Sequence, residues 1–397
     1  MQPLYHDAEH TPPRTRGTGH PGLWFERFYN RYNANWQVDT TSKQDFLQSL
    51  LGHHDNKHQC RVGIDSKLER HAHSLAAIAR QQGGMSIERQ SSWHFVTGLG
   101  NPHPVENGLT WHPVLGVPYL PGSAVKGITR AWLELNDYDA QTRKRLFGSD
   151  DKDPRKARAF ADEPELISGE VIFFDALPVQ PVTLMIDTMT PHMGDWYKKG
   201  DNKPGGAANT PADWHAPNPV VFLAAADVVM SFAVAPRLRP GMNKAQREES
   251  LALAQLASQA LSDALEHQGA GAKTAAGYGT FVALDETNER KAVQRRKEYE
   301  ENLQAREEEA ALAGMSPEQR QLAVLLEGMQ QLANQNAGSG AEFHREVLST
   351  LEGSVDWPQL EQDALVDAVR DFMKKYKLKN KEKEAKRIIR EVLKREL

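Results

Sequence analysis

The chain has 397 residues, of which 25% are charged and 39% hydrophobic, with a formal net charge of −5. This describes a globular chain with room for two or three compact domains, and it excludes a protein that coats nucleic acid through bulk positive charge. No apolar run reaches bilayer-spanning length, the first ten residues lack the regions of a signal peptide, and the single Cys60 has no disulfide partner, so a cytoplasmic protein without membrane contact is expected.

Residues 1–20 are rich in Pro, Gly, Thr and His and read as poorly ordered. Residues 23–36 gather Trp24, Phe25, Phe28, Tyr29, Tyr32 and Trp36 around Arg27 and Arg31. We read them as packed on the main domain or on a neighbouring subunit, in preference to a base-stacking platform. Helices are expected over 42–51 and 66–82, and an alternating strand over 92–97. A loop crowded with Gly and Pro follows and ends in a turn that feeds a helix over 123–136, with Ser123 as N-cap. A short helix is expected over 138–147 and a buried strand over 169–176. Residues 177–219 form a long Pro- and Gly-rich excursion carrying His192, Trp196, Tyr197, Trp214 and several lysines. Apolar strands flank Asp227, over 219–226 and 228–235. An amphipathic helix over 243–267 runs into a glycine-rich segment, and a closing strand spans 278–284. From 286 onward the composition is helical, with helices near 288–312, 317–334, 341–352, 358–377 and 381–396. The last of these is strongly basic, which keeps an RNA or acidic-partner contact open against the ordinary reading of a solvated face.

Two segments carry candidate chemistry. At Pro121-Gly-Ser-Ala-Val-Lys-Gly127, Gly122 and Ser123 open a helix whose N–H groups are available to an anion, and Lys126 and Arg130 are neighbours one turn apart. The spacing Ser123-x-x-Lys126 also matches a penicillin-binding nucleophile, but the companion motifs are missing. At Gly269-Ala-Gly-Ala-Lys-Thr-Ala-Ala-Gly-Tyr-Gly279, closely spaced glycines suit a backbone nest for phosphate, with Lys273 adding charge. A P-loop is disfavoured there, because no Gly precedes Lys273 and a helix stands where a strand is needed. The histidines at 53, 54, 58, 71 and 73 lack a ligand frame, so no metal and no cofactor is expected. His94, His103, His112, His192 and His215, with Asp187, Asp195 and Asp213, show no recognisable catalytic dyad.

These two segments, together with Gly98-Leu-Gly-Asn-Pro-His-Pro-Val-Glu-Asn-Gly108 and Met189-Thr-Pro-His192, resemble the RAMP family of CRISPR-associated proteins, and specifically the small RAMP subunit at the crRNA 3′ end of the type III-B (Cmr) effector complex. The resemblance covers about 90–285. It implies a ferredoxin-like (RRM-type) core with long insertions, and with the C-terminal all-helical extension read from composition the expected fold class is α+β. The implied domains are an N-terminal helical or irregular segment at 1–90, the core at 91–285 with a thumb-like insertion at 177–219, and the helical extension at 286–397. The extension departs from the compact family pattern, and an independent helical module that recruits another protein is a further reading of it. The implied function is a non-catalytic subunit that binds crRNA and caps an RNA-guided interference complex targeting foreign RNA. Its partners would be crRNA, target RNA, and other RAMP and small subunits. The implied RNA-binding residues are Gly122, Ser123, Lys126, Arg130, His192, Gly269, Gly271, Lys273, Thr274, Gly277, Tyr278 and Gly279. The alternative is a RAMP endoribonuclease that processes precursor crRNA without metal, with His192 and Tyr197 or Lys198 as the group to test.

Overall fold

A computed structural model describes residues 19–51, 59–149, 168–199, 216–335, 341–375 and 379–391. The chain divides into two compact units, 1–296 and 297–397. The expectation for residues 1–18, and the part of the long excursion that holds Trp214, lie outside the described residues.

The first unit begins with α1 (Pro21–Arg27), α2 (Thr40–Leu51), β1 (Gln59–Val62), α3 (Asp65–Gln81) and β2 (Met85–Ser91). It continues with α4 (Gly122–Leu135), α5 (Ala140–Phe147), β3 (Val171–Phe173), β4 (Leu177–Pro178), β5 (Val182–Met189) and α6 (Gly194–Lys199). It closes with β6 (Val220–Ala226), β7 (Val229–Pro236), α7 (Lys244–His267), β8 (Phe281–Val282) and the start of α8 (Glu286–Ala313). The strands form two antiparallel sheets. One has the order β1-β5-β6; the other has the order β3-β7-β2-β8, with β4 also on β7.

β7 is the centre of the larger sheet and is buried along its whole length. Its two faces do different work, as strand alternation requires. Met230, Phe232 and Val234 join the main core with Leu253, Ala254, Ala257 and Leu261 of α7. Ala233 and Ala235 face the other way, against Ala79 of α3, and their small side chains let that helix approach closely. Fully burying a Phe or Leu of this kind contributes about 2–3 kcal/mol. α7 starts with a reciprocal cap: the Asn243 side chain accepts from the Gln246 N–H at 2.9 Å, and Gln246 accepts from the Asn243 N–H at 3.0 Å. Asp227, at φ 56°, turns the chain from β6 in one sheet to β7 in the other.

The aromatic segment near the N-terminus packs into the core through Trp24, Phe25 and Tyr29, whereas Trp36 is exposed. Phe25 and Tyr29 are buried, Trp24 stacks on Phe46 at 4.6 Å, and Phe25 stacks on His103 at 4.0 Å.

Several strands differ from the sequence expectation: those expected over 169–176 and 278–284 shorten to Val171–Phe173 and Phe281–Val282, and two others differ in place. The strand before the glycine loop is Met85–Ser91 and not 92–97, of which only Phe95 bridges β6. β2 is polar because its partners arrive from distant segments. Glu88 pairs with Arg295 at 2.6 Å, Arg89 donates to Ser262 at 2.6 Å, and Gln90 accepts from Asn288 at 2.8 Å. The excursion at 177–219 is in part regular structure, since Val182–Met189 is the middle strand of the smaller sheet.

The second unit holds the rest of α8 with α9 (Pro317–Gln335), α10 (Ala341–Gly353), α11 (Gln359–Lys375) and α12 (Lys379–Glu391). It has its own core, including Leu325, Val347, Leu351, Leu365, Val369 and Ile388. Ser316 and Gln319 cap α9 reciprocally at 3.2 and 3.1 Å. Gln362 ties the turn before α11 by donating to the carbonyls of Ser354 and Val355 at 2.7 and 2.8 Å.

Candidate nucleic-acid interface

The glycine loop lies on the backbone of residues 94–96. Ala272 N–H donates to Val96 O at 2.7 Å, Gly279 N–H to His94 O at 2.8 Å, and Ala270 N–H to Gly279 O at 2.8 Å. This close approach requires glycine. A Cβ at Gly271, where φ is +98°, would sit 2.2 Å from Val96 O, and one at Gly279, where φ is +67°, would sit 1.9 Å from Ala270 O. Gly269 ends α7, with its N–H on Ala264 O at 3.0 Å. The sequence alone suggested that the glycines admit a ligand. At 271 and 279 they admit this chain's own backbone.

The outer part of the loop is different. Thr274–Ala276 forms one 3-10 turn between Lys273 and Gly277, and Gly277 faces open space. Lys273 is itself left-handed, at φ 60°. Its Nζ lies 3.8 Å from Met189 Sδ and 5.7 Å from the centroid of the Phe222 ring, a cation–π contact. Among the described residues Lys273 makes no ion pair. Met189 ends β5, so Lys273 touches a residue that lies three positions before His192 in the chain. His192 Nδ1 is buried and, among the described residues, without a hydrogen-bond partner. Tyr197, on α6, is 74% exposed.

Beneath the loop is a cluster that the sequence did not bring together. Asp187 Oδ2 accepts from the Tyr278 hydroxyl at 2.8 Å and lies 3.3 Å from His94 Nδ1, while Oδ1 accepts from Thr188 N–H at 2.7 Å. Burial by itself would raise the Asp187 pKa, but the bonds from Tyr278, Thr188 and His94 outweigh it and hold the carboxyl below its ordinary value. Burial, then the hydrogen bond and charge of Asp187, push the Tyr278 phenol up to about 12. Trp93 caps the cluster from outside. It is 48% exposed, stacks on His94 at 4.6 Å and leans on Tyr278 at 4.7 Å. An exposed aromatic face on Tyr278, with Lys273 over the neighbouring Phe222 ring, has the elements of a stacking and phosphate-binding surface. Trp93 was not singled out from the sequence, because only the fold distinguishes an exposed tryptophan from a core one.

The start of α4 is arranged otherwise. The residue in the N-cap position is Pro121, and Ser123 makes no capping bond because the helix begins one residue earlier. Gly122 N–H donates to Asp175 Oδ1 at 2.6 Å, so the chain supplies its own anion there. Lys126 Nζ donates to Phe147 O at 2.7 Å, which satisfies a carbonyl at the end of α5. Burial, then the nearby Arg130 and Arg237 cations, lower its pKa. Arg130 pairs with Glu134 at 2.9 Å. α4 meets the loop region through Trp132, whose ring stacks on His267 at 5.5 Å. Ser123 lies nine residues earlier, about 14 Å along the helix axis. Among the described residues no hydrogen bond or ion pair joins Ser123 or Lys126 to 269–279.

Among the described residues no three His, Cys, Asp or Glu side chains gather as metal ligands, and no helix is long and apolar enough to cross a membrane.

The profile of the RAMP superfamily matches residues 86–282. The Cmr6 subunit of the CRISPR system of Pyrococcus furiosus is 32% identical over 235 residues, which is 47% of this chain and 64% of the relative. The chain thus spans just under two thirds of that relative's length. The Cmr6 subunit of Saccharolobus solfataricus is 28% identical over 103 residues, 25% of this chain and 30% of the relative. Among solved structures, a chain of the type III-B Cmr-beta complex bound to cognate target RNA aligns with a TM-score of 0.43 at 18% identity, covering 62% of this chain and 76% of that one. The family profile covers the larger sheet, the α4 start and the glycine loop, and on that ground residues 86–282 belong to the RAMP superfamily, in a chain similar to the Cmr6 subunits.

Proposed function

We propose that the chain is a non-catalytic RNA-holding subunit of a type III-B RNA-guided complex, contacting crRNA near its 3′ end and capping the assembly. Its partners are then crRNA, target RNA, and other RAMP and small subunits, in the cytoplasm. The succession β2-α4-β3-β7-α7-β8 with sheet order β3-β7-β2-β8 supports reading the core as a ferredoxin-like βαββαβ unit. On this reading the expected core of 91–285 extends back through β2 to Met85, with its thumb within 177–219, and the residues before β2 are the segment that packs on it. Residues 286–397 are an added helical module.

The observation that carries the reading is the outer glycine loop: Lys273, without an ion pair among the described residues, lies over the Phe222 ring, and Phe222 and the exposed Trp93 both pack on Tyr278. Lys273 and the turn from Thr274 to Gly277 face phosphates, and Trp93 stacks a base. The α4 start is the weaker arm, because Lys126 must release the Phe147 carbonyl to reach RNA. The test is fluorescence anisotropy of a labelled single-stranded RNA across a salt series. Trp93→Ala should weaken binding about tenfold or more, in line with the ~1–3 kcal/mol of a stacked base. Unchanged affinity in both Trp93→Ala and Lys273→Ala, with the melting curve intact, would remove the site.

One observation favours the rival, a metal-independent endoribonuclease: His94 sits on Asp187 beside Tyr278, which is the way a general base is oriented. Incubation with repeat RNA in EDTA decides between them. The holding role expects no cleavage, whereas cutting abolished by His94→Ala or His192→Ala would establish the enzyme.

A further inference from the structure

We propose that the outward face of α12 is a second RNA contact, one that grips the phosphate backbone of a single strand without reading its sequence. The second unit is electrically divided. Residues 297–371 hold five Lys or Arg against sixteen Asp or Glu, whereas 372–397 hold eleven against four. Within α12, Ala385, Ile388 and Ile389 are buried in the unit's core. At ~100° per residue the opposite side of the helix carries Lys383, Lys386, Arg387 and Arg390. All four are exposed, and their spacing i, i+3, i+4, i+7 makes one stripe. Arg387 lies 4.0 Å from Glu391 with both side chains mostly exposed, a pairing worth little at a surface.

The chemistry of the stripe selects its partner. It has no apolar residue to enter a membrane or to dock a helix in a groove, and no aromatic residue to stack on a base. A straight row of cations fits a partner whose negative charges repeat along a line, and binding is driven by release of the counterions condensed on that line. The acidic remainder of the unit repels the same strand and confines contact to this face.

The test uses the full chain, a fluorescein-labelled oligouridylate and anisotropy over a potassium chloride series. The variant K383Q/K386Q/R387Q/R390Q keeps good helix formers. It should weaken binding and flatten the slope of log affinity against log salt by about 3, at ~0.7 per lost contact to a single strand. Arg387→Gln alone, which disturbs the helix least, should flatten it by about 0.7. Replacement of both lysines by arginine should leave the slope unchanged. An unchanged slope in the two Gln variants, with wild-type melting, overturns the proposal. So does an unchanged RNA slope with lost binding to polyglutamate-coated beads, which would assign the face to an acidic protein. Slope loss in Lys273→Ala but not on α12 sinks this proposal alone. Failure of the wild type to bind oligouridylate sinks it together with the glycine-loop reading.

Discussion

The start of α4 and the glycine loop after α7 both present glycine, a hydroxyl and a lysine, and the fold treats them differently. At α4 the first N–H meets Asp175, and Lys126 holds the Phe147 carbonyl. In the loop, backbone groups are satisfied against residues 94–96, and Lys273 is left over an aromatic ring. A lysine near a helix start is a phosphate ligand only where the chain has not already given it a partner. The same residue types therefore stabilise the fold in one place and remain available in the other.

The largest expected effect tests the inner loop. Gly279→Ala places a Cβ within 1.9 Å of a backbone oxygen, and we expect a loss of about 3 kcal/mol or more by urea unfolding. Gly277→Ala meets open space and should cost only the ~1 kcal/mol of a left-handed residue. Equal losses at the two positions would erase the distinction between inner and outer loop. Next, Lys126→Ala should lower stability by about 1–2 kcal/mol by leaving a carbonyl unpaired, while its RNA salt slope flattens less than that of Lys273→Ala. Lys273→Ala should do the reverse, changing stability by less than about 1 kcal/mol and flattening the salt slope by about 0.7. If the two variants exchange these phenotypes, the α4 start is the RNA site.

Asp187→Asn should cost about 1–2 kcal/mol at neutral pH. The Asp187 pKa is lowered in the folded state, so its contribution is present above the ordinary carboxylate value and lost as pH falls through the folded one. The gap between wild type and variant should therefore close below about pH 4. A gap that persists at pH 2 would show that the bond to Tyr278 does not depend on the carboxylate. The smallest effect is at Tyr278. Its folded pKa of about 12 lies above the ordinary ~10. The stability it adds is whole below pH 10 and disappears as pH rises through 12, which ultraviolet titration of Tyr278→Phe against wild type would register.

Helices were legible in the sequence wherever an apolar period repeated for three turns. α7 and the helices of the second unit were placed to within a few residues, because Leu and Ala recur at the spacing that buries one face. β7 was legible because a strand buried on both faces is apolar throughout. β2 was not: Glu88, Arg89 and Gln90 find Arg295, Ser262 and Asn288 roughly 170–210 residues away, and no local pattern announces such partners. β5 was hidden by the prolines and glycines that follow it. At the site, the glycines and Lys273 were visible as a motif, but His94, Asp187 and Tyr278 meet only after two sheets and a loop converge.

Asp227 joins β6 to β7 with almost no chain to spare, and Phe95 bridges Ala225 just before that joint. The smaller sheet is therefore hinged to the larger one by a stiff, short strut, not a tether. Force applied at the Lys273–Met189 contact runs down β5, across the antiparallel ladder to β6 and into the fully buried β7. A ligand held at the loop thus stiffens the strand on which both faces of the core depend, and amides of β7, far from any phosphate, should record its arrival as slowed exchange.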